Sequence, residues 1–215
     1  MLVLIIITSI KVNAGGDLMN QTDEIIKLAE KNHGMVTAHM VADAGYLRGI
    51  LKYLADRGKL ERVSRGVYTL PEAWEDEFVS LQSRYKRGVY SHETALFLCD
   101  LTDRTPARMN MTFPGSYNMT SPKKEGILCS CAKEPFYSMG ITEFKTPGGN
   151  LVRAYCAERT LCDILKTRSQ TDVQVITDSF RRYVARKEKD IPLLSEYAKV
   201  FHIDKKLRPY LEVLL

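Results

Sequence analysis

The chain has 215 residues, 45% of them hydrophobic, which is enough for two modest domains or one larger one with packed cores. A net charge of +5 permits a nucleic-acid partner without demanding one, and 27% charged residues is ordinary for a soluble protein. The five cysteines, at positions 99, 129, 131, 156 and 162, are odd in number and exclude a fully paired disulfide framework; reduced cytoplasmic thiols fit them best.

Met1 to Ile10 is an apolar run too short to span a bilayer. Val12-Asn13-Ala14 has the form of a signal-peptidase site, yet no Lys or Arg precedes the run, as a secretory leader requires. A different reading fits better. Gly15-Gly16-Asp17 can be encoded by GGA-GGU-GAU, a bacterial ribosome-binding sequence, and Met19 follows at a suitable short distance. Residues 1–18 are therefore read as a translated leader and Met19 as the start. Mass spectrometry finding residues 1–18 attached to the natural protein overturns that reading.

Residues 19–71 read as a winged helix-turn-helix. The first helix opens at Thr22, a capping residue, with Asp23 and Glu24 in the first turn where the helix dipole favours anions. Ile25, Ile26, Leu28 and Ala29 form its apolar stripe, and Gly34 closes it in a left-handed conformation. The second helix starts near Thr37, and Gly45 supplies the tight reversal after it. The third helix is predicted over Leu47–Arg57. Leu47, Ile50, Leu51 and Leu54 should pack inward, while Arg48, Gly49, Lys52 and Asp56 face out, flanked by Tyr46 and Tyr53. Gly49 is a poor helix former that lets the backbone approach a groove floor. Leu60–Val63 and Gly66–Leu70 alternate as two strands around a Ser64-Arg65-Gly66 turn.

Arg48, Gly49, Lys52, Tyr46 and Tyr53 are the candidates for the DNA major groove. Arg62 and Arg65 are the candidates for backbone contacts from the wing, and Thr37 for a phosphate at its helix start. The competing reading is a winged helix that contacts protein, its charged face simply solvated.

Residues 72–88 read as a connecting helix carrying Trp74, Phe78, Val79 and Leu81, and 89–215 as a second domain. Ser91 caps a helix over the apolar Ala95–Leu98, and Leu101–Pro106 is a turn-rich loop in which Asp103 and Arg104 impose order. Strands are predicted at Arg108–Phe113 and Ile127–Ala132, and a hairpin joins Ile141–Thr146 to Leu151–Cys156 through Pro147-Gly148-Gly149-Asn150. Glu158–Leu165 is helical, and from Val173 onward the chain is helical with breaks at Pro192 and near His202. The fold class is thus α+β: a winged helix-turn-helix, then a mixed domain of helices and a small sheet with a helical tail.

No constellation of catalytic residues emerges. His92-Glu93 and Cys99-Asp100 are sequence neighbours on a helix and point in different directions. Gly148-Gly149 is a hairpin turn, since no Lys-Ser/Thr follows to start a phosphate-binding helix. The cysteines lack zinc-knuckle spacing and read as buried small hydrophobes, so neither metal nor cofactor is expected. Two basic runs remain, Arg181, Arg182, Arg186, Lys187 and Lys189, then Lys205, Lys206 and Arg208. They are candidates for a C-terminal basic surface.

Several segments resemble one family in series: Gly34-Met35-Val36-Thr37, Arg57–Tyr68, Ser91-His92-Glu93-Thr94-Ala95-Leu96, Leu101–Pro106 and Ala157–Asp163. The chain is similar over most of its length to the AbiEi antitoxins of type IV toxin–antitoxin systems linked to abortive phage infection. The resemblance implies a winged helix that binds inverted repeats in the promoter of its own operon and represses it. It further implies a C-terminal domain that neutralises a nucleotidyltransferase-like toxin encoded next door, without need of a stable complex. It implies no enzymatic activity. A cytoplasmic monomer that pairs on DNA, away from membranes, is the corresponding expectation, because no coiled-coil seam is visible. The alternatives are a ligand-responsive winged-helix regulator unrelated to a toxin and, more weakly, an RNA-acting enzyme with a winged-helix appendage.

Overall fold

A computed structural model describes residues 17–73, 76–166 and 171–214. The leader expected at residues 1–18 falls almost wholly outside the described residues, as does Trp74. The chain forms two compact units, one ending at Glu75 and the other starting at Asp76.

The first unit holds α1 (Asp17–Lys31), β1 (Met35–Thr37), α2 (Ala38–Asp43), α3 (Gly49–Asp56), β2 (Glu61–Ser64) and β3 (Val67–Thr69). α1 starts before Thr22, which lies inside the helix and is buried, so the predicted cap is a helix-body residue. The predicted end holds: Gly34 has φ +83° and donates its N–H to the Ala29 carbonyl at 2.8 Å. An added Cβ at Gly34 would lie 2.3 Å from that of Ala73, so space demands glycine as firmly as conformation does. Thr37 caps α2 by accepting the Met40 N–H at 3.2 Å. Gly45, at φ +86°, makes the reversal into α3.

α3 is shorter than predicted. Leu47 and Arg48 precede it, and Leu47, expected in the core, is 83% exposed. Ile50, Leu51 and Leu54 do turn inward, packing with Ile25, Ala29, Val36, Val41 and Leu60. The sheet has the order β1-β3-β2 and is antiparallel throughout. β3 is its central strand, which is why all three of its residues are buried. The hairpin turn is Arg65-Gly66 with Gly66 at φ +78°, and the Gly66 carbonyl accepts the Ala38 N–H at 2.8 Å.

The second unit begins with α4 (Glu77–Arg84), followed by β4 (Val89–Tyr90), α5 (His92–Leu98), β5 (Asn110–Pro114) and α6 (Thr120–Lys124). β6 (Leu128–Ala132), β7 (Ile141–Lys145), β8 (Leu151–Tyr155) and α7 (Ala157–Ile164) come next. α8 (Val173–Ala185), α9 (Ile191–Val200) and α10 (Asp204–Leu214) complete it. The strands form one mixed sheet, β6-β5-β4-β8-β7. The predicted hairpin is β7–β8, with Ile141 opposite Tyr155 and Lys145 opposite Leu151.

The helix expected to connect two domains is instead part of this unit. Asp76 caps α4 through the Phe78 and Val79 N–H groups and also accepts from Thr146 and Asn150 in the β7–β8 turn. Gln82 then bridges to Arg153 of β8, accepting its N–H at 2.7 Å and donating to its carbonyl at 2.9 Å. Tyr90 donates to the Phe78 carbonyl at 2.6 Å.

α7 is buried along nearly its whole length although it carries Glu158, Arg159 and Asp163. Arg159 donates to Asp163 at 3.0 Å and to the Phe136 and Met139 carbonyls at 2.6 and 3.0 Å. Its guanidinium also lies 4.2 Å from the Tyr155 ring centre and 4.3 Å from that of Phe201. Glu158 accepts from the Tyr183 hydroxyl at 2.8 Å, which pushes that phenol far above its ordinary range, burial contributing most. Each buried charge therefore has a partner, the condition under which burial is tolerated.

Candidate nucleic-acid interface

Within the first unit, Arg48, Gly49, Lys52, Arg62 and Arg65 are exposed, while Tyr46 and Tyr53 are half-buried. Arg48, the N-cap of α3 with helical backbone, and Lys52 within the helix are four residues apart, hence on one side, with Gly49 beside them. The wing turn carries Arg65, and β2 carries Arg62, whose Nε donates weakly to the Ser64 carbonyl at 3.4 Å. Arg57 sits over the Tyr53 ring at 4.7 Å, so one face of that ring is occupied by its own neighbour. Among the described residues, no ion pair engages Arg48, Lys52, Arg62 or Arg65.

Thr37 does not join this group. It is buried, and its hydroxyl oxygen is committed to the cap of α2. The predicted cap is thus present, and the burial of Thr37 sets it apart from the exposed cations. Leu47 is the reverse case: assigned to the core by spacing, it projects beside Arg48 and Gly49. In the structure the first turn closes from Ile50 N–H to the Leu47 carbonyl at 3.1 Å, which puts Leu47 at the tip and not on the inner face.

Part of the C-terminal basic runs is engaged within the second unit. Arg182 pairs with Asp103, and Arg186 donates to the Cys99 and Asp100 carbonyls. Asp103, expected to order its loop with Arg104, thus does so with α8, and the guanidinium holds its carboxyl below the usual range. Arg181 lies 3.6 Å from Asp178 and Arg208 2.5 Å from Glu212. Lys189 donates to the Arg186 carbonyl and Lys206 to that of Leu165. Lys187 and Lys205 are exposed without an ion pair among the described residues. Arg182, Arg186 and Lys206 tie separate elements of the unit together, while Arg181, Lys189 and Arg208 make only local contacts.

The cysteines divide. Cys99 and Cys162 are buried, as small hydrophobes should be, and burial pushes the Cys162 thiol up to about 12. Cys156 is half-buried and raised to about 11, chiefly by the same cause. Cys131, on β6, is exposed, against expectation. Among the described residues, no helix is long and apolar enough to cross a membrane.

Residues 23–71 match the family model described as transcriptional regulator, AbiEi antitoxin, so the resemblance carried by the wing and its helices holds over that segment. The chain is also similar in fold to the crystal structure of the RV2827C protein from Mycobacterium tuberculosis. That match has a TM-score of 0.51 and 14% identity, covering 84% of this chain and 71% of the other. At that identity the likeness concerns the fold alone. No curated protein sequence matches the chain.

Proposed function

We propose that the protein is the antitoxin of a type IV toxin–antitoxin system and represses its own operon through a winged helix-turn-helix. In this reading α3 enters the major groove, Arg48 and Lys52 meet base edges or phosphates, and Arg62 and Arg65 hold the backbone from the wing. The observation that carries it is the contrast between the units. Arg48, Lys52, Arg62 and Arg65 have no ion-pair partner among the described residues, whereas Arg181, Arg182, Arg186 and Arg208 each have one. A cation left unpaired at the surface remains available to displace counterions from a phosphate backbone. The second unit neutralises a nucleotidyltransferase-like toxin from the neighbouring gene; that assignment draws on the resemblance and gives the protein no catalytic step.

Binding of the full-length protein to its own promoter, measured across a salt series, tests the DNA reading. Affinity should fall steeply with salt, and Arg48→Ala and Lys52→Ala should each weaken it, by ~1–3 kcal/mol where a base contact is lost. A flat salt dependence, or unchanged affinity in both variants, rejects this binding face.

A further inference from the structure

We propose that Leu47 reads thymine, its isobutyl group packing against the 5-methyl group in the major groove beside the contact made by Arg48. This deepens the DNA reading above and rests on it. Leu47 is 83% exposed, and it is the exposed large apolar side chain of the first unit among the described residues. It stands at the N-terminal tip of α3, the end of a recognition helix that reaches base edges. The closing hydrogen bond from Ile50 fixes its backbone there. Among the described residues, the unit's core cluster does not include its side chain.

Gly49 independently indicates a close-approaching surface at the same tip. Gly45, Gly58 and Gly66 have φ of +86°, +69° and +78° and need glycine for their backbone. Gly49 is helical, outside that group, and an added Cβ would meet nothing within 4 Å. Neither conformation nor internal space explains a glycine there. A ligand that meets the backbone does. With Arg48 exposed between them, the three residues present an apolar knob, a cation and a bare backbone patch. That combination matches a major-groove edge carrying thymine methyls near phosphate and guanine acceptors.

The test compares the full-length protein and Leu47→Ala on two forms of the promoter fragment, one made with thymine and one with uracil, which lacks only the methyl. Uracil should weaken wild-type binding about fourfold per contacted methyl, equivalent to the ~0.8 kcal/mol of one buried methylene. Leu47→Ala should bind the thymine fragment at least as weakly as wild type binds uracil, and should no longer distinguish the two. The exposed position leaves folding intact, which the thermal midpoint checks. Equal sensitivity to uracil in wild type and variant overturns the inference while leaving DNA binding standing. Absence of salt-dependent binding by the wild type overturns the DNA reading itself.

Discussion

His92 shows at a single residue how the second unit tolerates an ionisable group. It adopts φ +48° at the start of α5, and its Nδ1 lies 3.1 Å from the Ser91 hydroxyl. Burial lowers its pKa below the ordinary 6.5, and nearby Lys166 and Arg159 act in the same direction against the attraction of Asp163 and Glu93. The folded state therefore holds His92 neutral while the unfolded chain takes up a proton. Stability from this source is complete above the unfolded pKa and declines as pH falls through it towards the lower folded value. Denaturant midpoints should drop between pH 7.5 and 5.5, and the drop should be smaller in His92→Asn, since Asn tolerates left-handed backbone and stays neutral. An identical pH slope in the variant assigns the loss to other groups.

At the scale of elements, α8 is held to the end of α5 by charge. Arg182 reaches Asp103 and Arg186 reaches the carbonyls of Cys99 and Asp100, where Asp100 has φ +56°. Arg186→Ala should destabilise the second unit by about 1–3 kcal/mol, because a half-buried charged donor leaves carbonyls unsatisfied. The same variant should leave promoter affinity and its salt slope unchanged. A reduced salt slope instead returns Arg186 to the DNA footprint.

Elements with a strong period or a turn signature were legible in the sequence. The β2–β3 hairpin, the β7–β8 hairpin and the break before α9 fall close to where the sequence places them. β1 was not, because Met35–Thr37 is only three residues long and buried throughout, leaving no alternation to read. β4 has two residues and no local signal at all. The partners of the charged runs were not legible for a different reason. Composition reveals that Arg182 and Arg186 are cationic, but their partners lie 79 and 86 residues away in sequence. Of the candidate interface, the cations were visible from sequence, whereas the exposure of Leu47 depended on where α3 begins.

At the scale of the whole molecule, the two units have separate cores, and the proposed roles divide along the same line. The neighbouring gene, induced alone, should arrest growth, and coexpression of residues 76–215 should relieve the arrest without the α3 surface. Rescue by the full chain only would mean that neutralisation needs both units or works through repression. An innocuous neighbour removes the main support for the antitoxin assignment and favours a ligand-responsive regulator.

Asp76, the first residue of the second unit, is buried and simultaneously caps α4 and fastens the Thr146–Asn150 turn. Gly148 lies so close that a Cβ there would come within 2.7 Å of its carboxylate. The second unit thus carries an anchor for its own first residue. Recombination at this joint would deliver an intact folding module to whatever coding sequence precedes it. Under the proposed function, such an exchange would change which operator is recognised while the second unit is inherited unchanged.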